Sequence, residues 1–253
     1  RMEPYTSFAE VYDIFMDNIP YGEWADYVCN LLKEYEIIDG LVLEMGCGTG
    51  SLTEILASRG YDMIGIDNSE EMLQQAIEKR QESGVDILYL LQDMRELELY
   101  GTVKAIVSIC DSMNYIMEYE DLVKIFRLVN NYLDPKGIFI FDLNTEYKYQ
   151  EVIGRQTIAE SREDCSFIWE NEYDEESQIN QYALTLFIRQ EGELFRRYEE
   201  LHYQRVYSVK EITKALLEAG MELIAMYDAF TREPVRENSE RIYVIARECG
   251  KKD

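Results

Sequence analysis

One histidine, His202, is all the imidazole this chain has. Its five cysteines, Cys29, Cys47, Cys110, Cys165 and Cys249, never form a Cys-x-x-Cys pair. That supply argues against a zinc site of the usual Cys/His kind, so no metal is expected. It fits free thiols in a reducing compartment. Bases are short as well: 25 Lys and Arg stand against 50 Asp and Glu, a formal charge of −25. Phosphate backbones are bound by Lys and Arg that neutralise them. Nucleic acid is therefore a poor partner for this chain, and a small or cationic ligand a better one. Part of the charge is simply a solvated acidic surface. No apolar run approaches the ~20 residues of a membrane span. The start, RMEPYTSFAEVYD, has no basic region leading into an apolar stretch, as a secretory signal would. Internal repeats and low-complexity segments are missing too. We expect a soluble, cytoplasmic protein, with 253 residues forming one large domain or one domain with an insertion.

What is present is a regular alternation between about 37 and 143. Short apolar strands, LVLEMG (41–46), YDMIGID (61–67), ILYLLQD (87–93), KAIVSIC (104–110) and GIFIFDL (137–143), are separated by SLTEILASRG, SEEMLQQAIEKRQESG and YEDLVKIFRLVNNYLDP. The separators carry apolar residues at i, i+3, i+4 spacing, which is helical. Ser69 is placed to cap one helix, while Gly60 and Gly84 close theirs. Repeated βαβ units imply α/β architecture, a parallel sheet with helices on both faces. Residues 151–207 break the pattern. CSFIWENEYD, SQINQYALTLFIRQEGE and LFRRYEELHYQRVY are aromatic and β-branched segments divided by turn signals, an antiparallel meander inserted after the fifth strand. The helix VKEITKALLEAG and the strands MELIAMYDAF and RIYVIARE then complete the sheet, the last two as an antiparallel edge pair with a short link. Such an exposed pair would permit a homodimer as well as a monomer. The expected division is residues 1–36 as a helical segment with the aromatic stripe Tyr5, Phe8, Tyr12, Phe15, Tyr21, Trp24 and Tyr27; residues 37–150 and 208–253 as the α/β core; and residues 151–207 as the β insertion.

Ligands of open parallel sheets bind at the carboxyl ends of the strands. The first strand ends in Gly46-Cys47-Gly48-Thr49-Gly50, with Glu44 two residues before it. Its third glycine comes one residue too early for the dinucleotide fingerprint. The second strand ends in Asp67, which can accept both hydroxyls of a ribose. The third ends in Asp93–Met94, the fourth in Cys110–Asp111, and the fifth in Asp142 and Asn144. Four acids and no base are expected to converge there, a setting for positive charge rather than for a pyrophosphate. Plainer roles exist for several of these residues. Asp67 could cap the helix near Ser69, Asp111 with Ser112 could cap the next one, Glu44 could face a helix dipole, and Cys47 could merely fill the loop.

The set LEMGCGTG, GIDNSEEML, LLQDM and FDL resembles the class I S-adenosylmethionine-dependent methyltransferases, through nearly the whole chain. YTSFAEVYDIFM, PYGEW, CDSMNYI and HYQRVY resemble more narrowly a group of small bacterial methyltransferases of largely unassigned substrate, with the same insertion over the active site. The resemblance implies a Rossmann-like class I methyltransferase fold, a mostly parallel seven-stranded sheet, with S-adenosyl-L-methionine as cofactor. It implies that Gly46 and Gly48, with Cys47 between them, contact the methionyl and ribose parts, and that Glu44 lies near the ammonium. Asp67 would hold the ribose, Asn68 or Met72 would flank the adenine, and Asp93 with the Met94 backbone would meet its edge. Cys110 and Asp111 would line the methionyl side.

Methyl transfer from a sulfonium is an in-line displacement, and the protein's part is alignment and the exclusion of water. Tyr12, Tyr21 and Trp24 are candidates to face the sulfonium from an N-terminal lid. His202 is the candidate general base, with Asp111 as a second catalytic candidate. Strand alternation puts His202 and Gln204 on one face, and Tyr203 and Arg205 on the other. A lone histidine on a strand is also commonly structural. Arg205 is a candidate for a substrate carboxylate, and Tyr115 a further substrate contact. The position after the fourth strand reads CDSMNY, without the Asn/Asp-Pro-Pro motif of nucleic-acid amino methyltransferases. A small-molecule acceptor methylated on N or O is the leading reading. An RNA or protein acceptor, a non-catalytic S-adenosylmethionine-binding module and a nucleotide-dependent oxidoreductase are the rivals.

Overall fold

The apolar stretch before the glycine turn forms β1, Gly40–Met45, the middle of a seven-stranded sheet. Its neighbours are β2 (Tyr61–Asp67) on one side and β4 (Val103–Ser108) on the other, both parallel to it. With β3 (Ile87–Leu91), β5 (Leu133–Asn144), β10 (Glu222–Asp228) and β11 (Arg241–Arg247), the order is β10-β11-β5-β4-β1-β2-β3. The chain leaves β1 towards β2 and later returns on the other side as β4. The crevice between the ends of β1 and β4 is thus the switch point, where such sheets bind ligands. The computed structural model describes residues 8–16 and 19–252. Residues 1–7 and 17–18 of the expected helical segment, Tyr5 among them, lie outside the described residues, as does the side chain of Phe15.

Strands that bury both faces must be apolar throughout, and the sheet is covered accordingly. Helices α2 (Tyr21–Glu34), α3 (Ser51–Ser58) and α4 (Glu70–Ser83) pack on one face through residues such as Leu31, Leu32, Leu56 and Leu73. On the other, α5 (Tyr119–Tyr132) and α6 (Val209–Glu218) bring Phe126, Val129, Ile212 and Leu216 against Phe139 and Phe141. Full burial of each such side chain is worth roughly 1.5–3 kcal/mol. The capping signals work as their chemistry requires. Ser69 Oγ accepts from the Met72 N–H, Gly84 closes α4 in the left-handed region at φ +71°, and Ser208 forms a capping box with Glu211 on α6. Among the described residues no helix is long and apolar enough to cross a membrane.

Residues between β5 and α6 build a second sheet of β6 (Thr157–Ser161), β7 (Cys165–Asp174), β8 (Ile179–Arg189) and β9 (Phe195–Arg205), antiparallel throughout. Three of these strands are the expected ones and β6 is additional. It is a short edge strand, exposed at every position, so no burial pattern marks it. A π-helical turn, Lys148–Ile153, leads into this sheet from β5. Strand β5 begins four residues before the expected Gly137, with an irregular register between Val103 and Ala105 of its neighbour absorbing the Asp134–Pro135 step. The connection between β10 and β11 is long rather than short, running over residues 229–240 with a bridge from Tyr227 to Pro234. Helix α1, Phe8–Phe15, spans the gap between the two sheets: Phe8 packs with the second sheet's core, and Asp13 bonds Thr49 and Lys79 of the first unit.

Candidate active site

The glycine turn is held to β2. The N–H groups of Gly46 and Cys47 both donate to the Ile66 carbonyl, and the Gly48 N–H donates to Asp67 Oδ2 at 2.8 Å. Two of the glycines serve different ends. A Cβ on Gly50 would lie 2.3 Å from the Tyr89 hydroxyl, so that glycine exists for packing. A Cβ on Gly48 would meet no atom within 4 Å and would project into open space beside a cavity of about 850 Å³. Asp67 also accepts from the Ser69 N–H at 2.9 Å, so it anchors both the turn and the start of α4. Each of its oxygens keeps a lone pair for a ligand. Burial raises its pKa, against three backbone hydrogen bonds that lower it.

Glu44, on β1 beneath the turn, is 3% exposed and accepts a hydrogen bond from Thr53 Oγ1. Burial pushes its pKa up to about 8, the Thr53 bond opposing and Asp67 adding a little. Thr53 lies in the first turn of α3, so Glu44 sits beside that helix's N-terminus. Asn68, Met72, Asp93 and Met94 line the cavity. Asp93 is already gripped by Arg95, whose Nη2 lies 2.6 Å from Oδ2, and this hydrogen bond holds the carboxyl below its usual range. The Cys47 and Cys110 thiols are raised well above the ordinary value by burial, so neither is a thiolate.

At the end of β4 the chain is strained. Cys110 and Asp111 are consecutive non-glycine residues in the left-handed region, at φ 61° and 55°. Such a conformation persists only where its surroundings over-determine it, and here Asp142 does so. Its carboxylate accepts from the Cys110 N–H at 3.2 Å and the Asp111 N–H at 2.8 Å. Arg241 then bridges the acids, donating to Asp142 at 2.5 Å and to Asp111 at 2.9 Å, with its guanidinium 5.1 Å above the Trp24 ring. Burial lowers the Arg241 pKa, but Asp142 and Asp111 outweigh it and the net shift is upward. Asp111 makes no capping bond to the turn that follows it. Its second oxygen takes Gln204 Nε2 at 2.5 Å, and Gln204 in turn accepts from the buried Tyr149 hydroxyl at 2.8 Å. The expectation of acids without a base is therefore corrected: Arg95, Lys148 and Arg241 sit among them on the cavity wall.

The second sheet supplies the opposite wall. Alternation turns His202 and Gln204 of β9 to the cavity. The His202 ring stacks on Tyr182 at 4.6 Å, and Tyr182 stacks on Trp169 at 4.6 Å. The Tyr115 hydroxyl ties this stack to the first unit, 2.7 Å from the Tyr182 hydroxyl and 3.1 Å from His202 Nδ1. Burial lowers the His202 pKa, with Asp111 opposing, so the ring is neutral at pH 7. Its Nε2 is buried without a hydrogen-bond partner, 4.0 Å from Glu200. Arg205 faces the other way. It donates to the Met117 carbonyl at 2.7 Å and lies over the Tyr207 ring, away from the cavity, which corrects its assignment to substrate. Tyr12, Tyr21 and Trp24 close the cavity from α1 and α2. Sequence reasoning missed Lys148, Tyr149, Trp169, Tyr182 and Arg241 as cavity residues. Only Trp169 and Tyr182 left a signal, their inward parity on strands already recognised.

Comparison with known proteins gives a consistent result. A family model described as a methyltransferase domain matches residues 42–137. YqeM of Bacillus subtilis (strain 168), which bears a methyltransferase name, is 36% identical over 246 residues, covering 96% of each chain. GWCH70_2453 of Geobacillus sp. (strain WCH70), named likewise, is 32% identical over 244 residues, covering 96% of this chain and 99% of its own. A solved S-adenosylmethionine-dependent methyltransferase from Clostridium acetobutylicum ATCC 824 superposes with a TM-score of 0.87 at 30% identity, over 96% of this chain and 98% of that one.

Proposed function

The chain belongs to the class I S-adenosylmethionine-dependent methyltransferases, and from that premise we propose that it methylates a nitrogen or oxygen of a small-molecule acceptor. The observation that carries this reading is the continuity of one cavity, from Gly48 at one end to the Trp169–Tyr182–His202 stack at the other. A space of about 850 Å³ is at the upper end of small-molecule sites.

The residues at the glycine turn fit S-adenosylmethionine. Gly48 leaves open the space a side chain would fill, and the acids beside it, Glu44 and Asp67, suit an ammonium and a ribose diol. Cys47, Asn68, Met72, Asp93 and Met94 would complete that half, while Tyr12, Tyr21 and Trp24 from the lid segment exclude water around it. When bound, the cofactor supplies a methyl group on a sulfonium, which leaves as a neutral thioether.

The remaining chemistry belongs to the chain. Neutral His202 can take a proton from an acceptor amine or hydroxyl. With Nδ1–H donating to the Tyr115 hydroxyl, which itself donates to Tyr182, Nε2 carries the lone pair that takes the acceptor's proton. Asp111, held by Arg241 and Gln204, places negative charge where positive charge develops on an acceptor nitrogen.

The test is methyl-labelled S-adenosylmethionine incubated with the protein and a cell extract, followed by separation of metabolites, nucleic acid and protein. Label in the metabolite fraction supports the reading, and label confined to RNA or protein overturns the acceptor class. Binding without transfer to any fraction favours the non-catalytic module. With the acceptor in hand, His202→Gln is expected to lower kcat by roughly 10²–10⁴-fold. The cofactor's KM stays unchanged, and the acid limb of the pH profile, placed below the ordinary 6.5 by burial, disappears. An unchanged profile in the variant would remove His202 from the mechanism.

A further inference from the structure

Lys148 stands where β5 hands over to the π-helical turn, on the wall of the acceptor end of the cavity. Its ammonium makes one hydrogen bond, to Asn144 Oδ1 at 2.9 Å. An ammonium has three donors, and the uncharged amide uses one of them. The other cations of this wall are each joined to an acid: Arg95 to Asp93, Arg162 to Glu160, and Arg241 to both Asp111 and Asp142. Among the described residues, no carboxylate lies within 4.0 Å of Lys148 Nζ.

The nearby acids are not in reserve for it. Asp142 holds Arg241 and two backbone N–H groups, and Asp111 holds Arg241 and Gln204. Asn180, a further amide on this wall, is bonded in both directions to Asn171 at 2.8 and 2.9 Å. Burial and the charge of Arg241 both work against the ammonium, while Asp111, Asp142 and Glu240 act for it from a distance. Lys148 is half-buried and lines the cavity, and withdrawing a charge from water without an ionic partner is unfavourable.

Resting on the small-molecule reading above, we infer that the methyl acceptor carries an anionic group, a carboxylate or a phosphate, that pairs with Lys148. The lysine thereby selects acceptors by charge. In a chain of net charge −25 this is a specific device, since the surface as a whole repels anions and only a site with a bare cation retains one. His202 and Lys148 then divide the work: one handles the acceptor's proton, the other its orientation.

The test uses the full chain, methyl-labelled S-adenosylmethionine and a small-molecule extract, with products resolved by anion exchange at pH 7 before and after alkaline phosphatase. A labelled product that bears an ionised carboxylate or phosphate is expected, its identity confirmed by mass spectrometry of the labelled peak. Loss of retention after phosphatase identifies a phosphate, and unchanged retention a carboxylate. Lys148→Met is expected to lose 10–100-fold in kcat/KM, chiefly through the acceptor's KM, as removal of a charged hydrogen-bond partner does. Cofactor affinity by calorimetry should not change, and Lys148→Arg should recover most of the loss. A small-molecule product that bears neither a carboxylate nor a phosphate group, or a Lys148→Met enzyme with unchanged acceptor KM, overturns this inference alone. A Lys148→Arg enzyme as inactive as Lys148→Met, with a displaced pH profile, overturns it in favour of a lysine base. Label confined to macromolecules overturns the small-molecule reading and this inference together. The product-charge arm needs no variant, so it decides even if a substitution fails to fold.

Discussion

Glu44 offers a quantitative test of the cofactor half of the site. Its pKa of about 8 means that the free protein carries it mostly protonated at neutral pH. With that value, only about 9% is ionised at pH 7 and about half at pH 8. If Glu44 receives the ammonium of S-adenosylmethionine, binding must drive off that proton. The cost at pH 7 is about 1.4 kcal/mol, and affinity should rise close to tenfold per pH unit below pH 7, about fivefold between pH 7 and 8, and level off above that. Calorimetry in buffers of different ionisation enthalpy reads the proton directly. Wild type should release about 0.9 more protons at pH 7 than Glu44→Gln. The ligand's own amine titrates equally in both proteins and cancels in the difference. Stability follows the same linkage with a definite sign. Because the folded pKa lies above the usual 4.5, the proton's contribution is complete below pH 4.5 and is lost as pH rises through 8. Glu44→Gln should therefore gain on wild type in thermal melts at pH 8–9, by at most about 5 kcal/mol. Equal proton release by the two proteins, or parallel pH–stability curves, would refute the reasoning.

The two glycines make a contrasting pair. Gly50→Ala should lower the melting temperature sharply, because its Cβ meets the Tyr89 hydroxyl at 2.3 Å. Gly48→Ala should cost only the roughly 1 kcal/mol of its left-handed backbone while reducing cofactor affinity severalfold in the same calorimeter; equal stability losses would contradict the packing argument. At the strained turn, Asp142→Asn should destabilise by about 3–5 kcal/mol, since it leaves Arg241 buried with one acid fewer. The double variant Asp142→Asn/Arg241→Met should recover much of that in denaturant melts, and strictly additive losses would show that the pair is not coupled.

The parallel core was legible because it has only one way to bury its strands. An apolar run such as Leu41–Met45 needs cover on both faces, and the helical spacing of α3, α4 and α5 supplies it. Strand β6 escaped because TIAES, exposed along its whole length, has no face to declare. The cavity wall around the glycine turn was legible for a related reason: the candidate residues there lie within a few residues of strand ends, where topology alone collects them. The wall towards the second sheet is different. Arg241, Asp111, Gln204 and Tyr149 meet through register and crossovers, as Arg241 opposite Asn144 illustrates. No local pattern announces that an arginine opening an apolar strand turns inward to two acids. The alternation that placed His202 and Gln204 together also kept Arg205 apart from them, so parity was readable while the tertiary partners were not. Asp93 shows the converse, a strand-end acid whose partner, Arg95, was only two residues away.

Among the described residues the two sheets share no ladder of backbone hydrogen bonds. Besides helix α1, their seam includes side-chain and carbonyl contacts: Gln204 to Asp111 and Tyr149, Tyr115 to Tyr182 and His202, Arg205 to the Met117 carbonyl, Tyr173 to Glu146, and Asn114 to the Arg205 carbonyl. The second sheet is thus joined to the first unit through side chains rather than through its strands. Insertions or replacements between Gly154 and Val206 can change its length, twist and lining without disturbing β1, β2 or the turn between β1 and α3. In a lineage of related enzymes, acceptor range would drift fastest there, while the seam residues and the strained Cys110–Asp111 turn would resist. A graft between relatives would need to carry those docking points to remain in register with its host.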